Sequence, residues 1–359
     1  DTTNTLDSIT VSDCTLDPAF NSATTEYSCT VKNNVTSVTV NATATSSKAK
    51  VRGLGTKDLA VEKNTIPIRV IAEDGREKTY NVNITRKAGA SSLKNEIMKN
   101  TVITANPTLT TSSNNTSDAS GLYKSTATNT GEPTYYFRGN VENNYVSFAG
   151  QTWRIVRINE DGTVRLIMQD GINNNGYIVF NSNYSDYSDM YYTNSEAKTT
   201  LESWYQTNIG SNENLAKNVA NGNYYCEQAK VKQSDSWTSG SAVMTYYENY
   251  TPNFKCETDG NGKGQVSASV GLLTYDEVVY AGCYYGQSNR DYYLYTNKYF
   301  WTMSPTGIVS GTSNVWRIGT AGNIYNSPVK DPNALRAVLN LTVDTQVIGH
   351  GTSQDPYQL

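Results

Sequence analysis

The chain has 359 residues, a net charge of −4 and a pI near 5.2, with 37% hydrophobic and 17% charged residues. That balance excludes the basic face through which a protein displaces counterions from nucleic acid, and no apolar run reaches the roughly 18–20 residues that span a bilayer. A single histidine, His350, removes most imidazole-dependent catalysis and most zinc sites.

No basic-then-apolar leader stands at Asp1, so the sequence reads as mature or trimmed. The five cysteines, Cys14, Cys29, Cys226, Cys256 and Cys283, contain no CxxC pair. With a Thr/Asn/Ser/Tyr-rich composition they point to an oxidising, extracellular compartment. Of the pairings that leave one cysteine over, Cys14–Cys29 with Cys226–Cys256 is preferred, because each pair lies within one expected domain. Cys283 then remains as a small buried side chain.

Residues 1–90 are strand-like throughout. Val38, Val40, Ala42 and Ala44 alternate with polar neighbours, as do Ile66, Ile68, Val70 and Ala72, and then Tyr80, Val82 and Ile84. Such alternation marks strands with one face inward and one wet. Asn33-Asn34, Gly53, Gly55 and Asp74-Gly75 supply the turns, and the sum predicts an all-β sandwich.

Residues 91–120 read as a connector. Ser92 caps a short predicted helix with Leu93 and Ile97 on one side, and a polar Thr/Ser/Asn run follows as a linker. From 121 to 359 an α+β domain is expected. Val146 and Phe148, Trp153 and Ile155, then Val164, Leu166 and Met168 predict a β-meander, with Glu160-Asp161-Gly162 as a hairpin turn. Ala197, Leu201, Trp204 and Tyr205 form one face of an amphipathic helix, and a short helix follows around Leu215 and Val219. In GLLTYDEVVYAG, Thr274 and Glu277 form a capping box, Leu273 and Val278 the hydrophobic staple, and Gly282 the stop. Strands return from Tyr299 to the end, with Trp153, Trp301 and Trp316 as core.

Two resemblances attach to these residues. Leu16, Pro18, Ala19, Phe20 and Tyr27, then Asn64-Thr65-Ile66, Glu73-Asp74-Gly75, Lys78-Thr79-Tyr80 and Arg86, resemble the bacterial cadherin-like β-sandwich repeat. That family implies a surface spacer or adhesion module; a Cys14–Cys29 bridge between adjacent strands is an addition to its pattern. Trp301, Ser304, Pro305, Gly322 and Arg336, with Ala337 where proline is usual, resemble C-type-lectin-like domains of Gram-positive surface proteins, whose layout is related to the formylglycine-generating enzymes. The expected protein is therefore multidomain: an immunoglobulin/cadherin-like sandwich followed by a C-type-lectin-like α+β domain, on the cell surface of a Gram-positive bacterium.

Catalysis finds little support in these residues. Cys226 and Cys256 stand in surroundings unlike a copper-binding pair. Glu202, Asp276, Glu277 and Asp291 are the available carboxylates for glycoside hydrolysis, yet no spacing selects two of them. Capping accounts for Asp276 and Glu277, and His350 falls in a terminal turn. The expectation is no enzyme, no metal and no cofactor. Calcium has a partial signature, because Glu257, Asp259, Asn261 and Gly262 resemble the start of a calcium loop; its twelfth position is Ala268, which offers no oxygen. Binding is favoured by two segments, 173–194 and 284–301, that mix aromatic rings with amides and charges. Tyr191, Tyr192, Arg290, Tyr292 and Tyr293 are the candidate ligand-binding residues, with a glycan or surface protein as partner and a monomeric chain.

Overall fold

The computed structural model describes residues 1–107, 109, 118–222, 224–227, 251–256, 264–283 and 286–359. The chain divides into two units, Asp1–Ala90 and Ser91–Leu359.

The first unit contains β1 (Leu6–Val11), β2 (Glu26–Val31), β3 (Ser37–Ala44), β4 (Lys50–Arg52), β5 (Gly55–Asp58), β6 (Glu62–Ile71) and β7 (Glu77–Arg86). They form two sheets, β1–β3–β5 and β2–β7–β6–β4, with β2 parallel to β7. Ile66, Ile68 and Val70 of β6 are buried, and so are Tyr80, Val82 and Ile84 of β7. Ile66 lies opposite Val82 and Ile68 opposite Tyr80, so the period-two pattern becomes cross-strand pairs on the inner face. Each such side chain contributes about 1.5–3 kcal/mol through burial.

Polar groups close the loops around this core. The Tyr27 hydroxyl donates to Asn21 O at 2.6 Å, and Tyr80 donates to Ser22 O at 2.8 Å. Asn64 grips the backbone of Ala60 on both sides, accepting from its N–H and donating to its carbonyl, each at 2.9 Å. Arg86 donates to Asn33 O and Leu59 O at 2.9 and 2.7 Å. Cys14 and Cys29 are bridged, with Cα atoms 5.8 Å apart. Cys14 follows β1 and Cys29 lies in β2, strands of different sheets, so the bridge ties the two layers rather than two neighbouring strands.

The second unit opens with β8 (Ser91–Ser92), α1 (Leu93–Ile97) and β9 (Val102–Ile103). Next come β10 (Gly121–Ser125), β11 (Thr134–Arg138), β12 (Tyr145–Phe148), β13 (Gln151–Ile158) and β14 (Val164–Met168). Then follow α2 (Ile172–Asn175), β15 (Tyr177–Ile178), α3 (Glu196–Tyr205), α4 (Glu213–Ala216), β16 (Tyr224–Glu227), β17 (Gly264–Ser267) and α5 (Tyr275–Ala281). The last strands are β18 (Phe300–Val309), β19 (Thr312–Ile318), β20 (Ile324–Pro328), β21 (Asn333–Ala334), β22 (Val338–Leu341), β23 (Gln346–Val347) and β24 (Tyr357–Gln358).

Two larger sheets organise these strands. One runs β22–β14–β13–β11–β10–β9, with β12 on β13 and β24 on β12; the other runs β15–β21–β18–β19–β20. The meander is real but shared. β12 pairs with the first half of β13 and β11 with its end. Trp153, Trp301 and Trp316 are all buried in the core. The helix α1 is no free connector: Leu93 and Ile97 belong to that same core, and Leu93 N–H donates to Thr345 O at 2.9 Å. Most of the polar run expected as a linker lies outside the described residues.

Helix α5 carries the capping box as read from its sequence. Glu277 N–H donates to Thr274 Oγ1 at 3.1 Å, and Thr274 N–H donates to Glu277 Oε2 at 3.0 Å. All seven residues of the helix are buried, and Gly282 ends it at φ 120°. Its last carbonyls are met by a buried guanidinium: Arg138 Nη1 donates to Val279 O and Tyr280 O at 2.8 and 3.0 Å.

Candidate functional site

The five residues selected from sequence do not form one exposed patch. Tyr192 is buried and donates its hydroxyl to Val270 O at 3.0 Å. Tyr292 and Tyr293 are each only 3% exposed. Tyr292 packs beside the buried Cys283 thiol, and Tyr293 lies under the Arg154 guanidinium at 5.3 Å. Burial pushes the phenols of Tyr192 and Tyr292 well above their ordinary range. Tyr191 is half-buried against the core, and Arg290 is exposed. The physical reason is the chain's choice of aromatic. With 27 tyrosines and 6 phenylalanines, tyrosine serves as the core ring, its hydroxyl turned to a carbonyl where it can reach one.

The two aromatic-polar segments do meet, through other residues. Tyr177, from the first segment, contacts Tyr299, from the second, with ring centroids 6.5 Å apart. The backbone brings them together: β15 pairs with β21, which lies parallel to the start of β18. Arg317 of β19 places its guanidinium 4.5 Å from the Tyr299 ring and 4.7 Å from the Tyr325 ring. Arg317 and Tyr325 are direct partners across the β19–β20 hairpin. The turn requires glycine, because Gly322 has φ 76° and a Cβ there would sit 1.6 Å from Asn289 O.

This surface is partly open. Tyr177 is 46% exposed, while Tyr299, Arg317 and Tyr325 are half-buried. Arg317 Nη1 donates to Asn333 Oδ1 at 2.8 Å, which holds the cation between the rings. Hydrogen bonds with Thr320 and Tyr325 lower the Tyr299 phenol below its ordinary value, and Arg317 adds to this; burial raises Tyr325. On the same sheet's flank, Lys330 stands 4.1 Å over the ring of Tyr184, itself 41% exposed. The arrangement offers flat rings, a fixed cation and amide edges, which suit non-covalent recognition. Arg317 and Tyr325 were legible in principle as partners flanking the Gly322 turn. Tyr177 and Tyr299 were not, since they meet across more than a hundred residues only because β15 and β18 both pair with β21.

Two of the four candidate carboxylates are held in ion pairs. Glu277 is buried, with Oε1 accepting from Arg165 Nη1 at 2.6 Å and Arg157 Nε at 3.1 Å. Burial pushes its carboxyl up, yet Arg165 and Arg157 outweigh this and hold it below the ordinary range. Glu202 pairs with Lys198 at 2.6 Å. Asp276 is buried in the first turn of α5, and Asp291 is exposed beside the Asn289 turn. His350 is exposed and pairs with Asp355.

Cys226 and Cys256 are bridged, with Cα atoms 5.3 Å apart, and Cys283 is buried outside both disulfides. Glu257, Asp259, Asn261 and Gly262, which resemble a calcium loop, lie outside the described residues. Among the described residues no cluster of three or more His, Cys, Asp or Glu side chains is arranged to hold a metal. No described helix is long and apolar enough to cross a membrane.

A search of curated proteins finds no match to the chain. Among solved structures, a candidate glycoside hydrolase from Bacteroides thetaiotaomicron aligns at 9% identity over 95% of both chains. Its TM-score is 0.18, too low to carry any argument about fold or activity. Residues 6–87 match the family model described as the cadherin-like beta sandwich domain. The sheets β1–β3–β5 and β2–β7–β6–β4 are built from that matched segment. Residues 6–87 of this chain are therefore a cadherin-like beta sandwich domain.

Proposed function

We propose that the protein is a surface-recognition module in which the second unit binds a glycan or a surface protein without chemistry and the sandwich acts as its stalk. The observation that carries this reading is the Tyr177–Tyr299–Arg317–Tyr325 surface. Tyrosine and arginine are the residues that concentrate binding energy at protein interfaces, because they bury much area at low entropic cost. A protein partner therefore suits this face best. The C-type-lectin-like reading of the second unit comes from the resemblance at Trp301, Ser304, Pro305, Gly322 and Arg336, and the paired β18–β19–β20 strands and capped helix α5 are consistent with it. Two disulfides accord with an extracellular setting, and a Gram-positive surface remains part of the proposal. The non-catalytic reading is supported by Glu277, whose carboxylate is held by two arginines.

A spacer without its own ligand is the second reading. It is favoured by the burial of Tyr192, Tyr292 and Tyr293, and by the internal sandwiching of Arg317, which cross-strand packing alone explains. Binding of the full chain to intact cell surfaces, before and after protease treatment, separates the two. Recognition predicts saturable binding that protease abolishes and that Arg317→Ala with Tyr299→Ser weakens about tenfold or more. Absence of saturable binding to every surface tried supports the spacer.

A further inference from the structure

Helix α3 presents a second surface apart from the aromatic face. Its apolar side, Ala197, Leu201 and Tyr205, is buried, and the turn that continues it buries Ile209. The adjacent row of side chains opens onto a groove of about 420 Å³. Thr200, Ser203 and Trp204 line it from the helix, Thr207 and Asn208 from the turn that continues it, and Asn173 from α2. Every lining side chain is neutral. The nearest ionic groups of the helix, Lys198 and Glu202, satisfy each other at 2.6 Å.

Trp204 distinguishes the groove from an ordinary wet helix face. The ring is half-buried and leans on Trp153, with centroids 6.3 Å apart and planes at 57°, so its position is set by the core. Trp153 and Trp301 each spend their indole N–H on a carbonyl, Phe148 O at 2.9 Å and Ile178 O at 3.0 Å. Trp204 Nε1 makes no hydrogen bond to any described residue and is not sealed from solvent. Beside it, Asn208 Nδ2 donates to Trp204 O at 2.8 Å and Thr207 Oγ1 donates to Ser203 O at 3.0 Å. These bonds consume one donor on each side chain and leave the acceptor capacity of its oxygen unspent.

We propose that the Trp204 groove is a binding site for a neutral saccharide. A pyranose ring has an apolar C–H face that packs on an indole, and an edge of hydroxyls that both donate and accept. The groove supplies a fixed aromatic face, one unused N–H donor and a row of hydroxyl and amide groups. A charged sugar finds no counter-charge there, and leaving a desolvated ion unpaired is costly. The inference rests on the reading of the second unit as a binding module but uses a site apart from the Tyr299–Arg317 face.

The test uses the full chain against immobilised neutral oligosaccharides of gluco, galacto and manno configuration, alongside sulfated and sialylated counterparts. Titration is followed by tryptophan fluorescence. The expected result is saturable binding to neutral members, weakened about tenfold by Trp204→Ala and severalfold by Ser203→Ala with Asn208→Ala. The latter pair alters exposed side chains and keeps the core ring, so it guards against loss of fold. Tyr299→Ser with Arg317→Ala leaves this binding unchanged. Binding confined to sulfated or sialylated members, a blank array, or full binding by both Trp204 and Ser203/Asn208 variants overturns the proposal. None of these outcomes bears on protease-sensitive binding through the other face.

Discussion

Arg157 and Arg165 stand directly opposite each other on β13 and β14, and both reach the same oxygen of Glu277. Two like charges in direct cross-strand register repel. A β-bulge between Ile155 and Arg157 sets this register, and the capping glutamate of α5 compensates it. One residue thus caps a helix and offsets one of the two positive charges of the pair.

Replacing Glu277 with Gln leaves two buried guanidinium groups sharing no anion. The expected cost is about 3–5 kcal/mol, as for other broken buried ion pairs. Arg165→Met is expected to cost more than Arg157→Met, because Arg165 also donates to Asn340 Oδ1 at 3.0 Å and Tyr224 O at 2.9 Å. Denaturant unfolding with hydrogen exchange resolved to residues 91–359 measures this, and the reverse order contradicts the account.

The same carboxylate sets an acid limit. Its folded pKa lies below the ordinary glutamate value of about 4.3. A depressed acid contributes stability that is complete above the unfolded pKa and is lost as pH falls through the folded one. Stability of the second unit should therefore decline below about pH 4.3, with a smaller decline in Glu277→Gln. Parallel profiles for the two proteins count against it.

Cys14–Cys29 closes a loop of 15 residues between the two sheets of the sandwich. Chain entropy predicts that Cys14→Ser with Cys29→Ser lowers the stability of that unit by about 3 kcal/mol. Hydrogen exchange should show faster opening in residues 1–90 and no change in the second unit.

Cys283 is fully buried, with its Sγ 3.2 Å from Gly322 O. The native protein should show no thiol titratable by an aromatic disulfide reagent, and one in denaturant. Rapid native labelling disproves the burial.

Tyr292 and Tyr177 should respond oppositely to substitution. Tyr292→Ala removes a buried ring and should cost about 3–5 kcal/mol. Tyr177→Ser, at a residue 46% exposed, should cost under about 1 kcal/mol while weakening surface binding. Equal costs count against the corrected site.

The strands of the sandwich, the caps of α1 and α5, the amphipathic face of α3 and the tryptophan core were legible in the sequence, because each depends on spacing within a few residues. Val82 points inward because its neighbours alternate; Thr274 caps because Glu277 follows three positions later. Both disulfides followed from domain grouping, yet only the fold shows that Cys14–Cys29 joins two sheets. The binding surface is another matter. Exposure of a tyrosine is decided by what packs over it, so Tyr292 and Tyr177 look alike in sequence and differ in burial. Tyr177 meets Tyr299 through strand pairing far along the chain, and Trp204 opens onto a groove because α3 is rotated to bury Leu201 and Tyr205 instead. Local chemistry determined the elements; long-range packing decided which of their side chains remain free to bind.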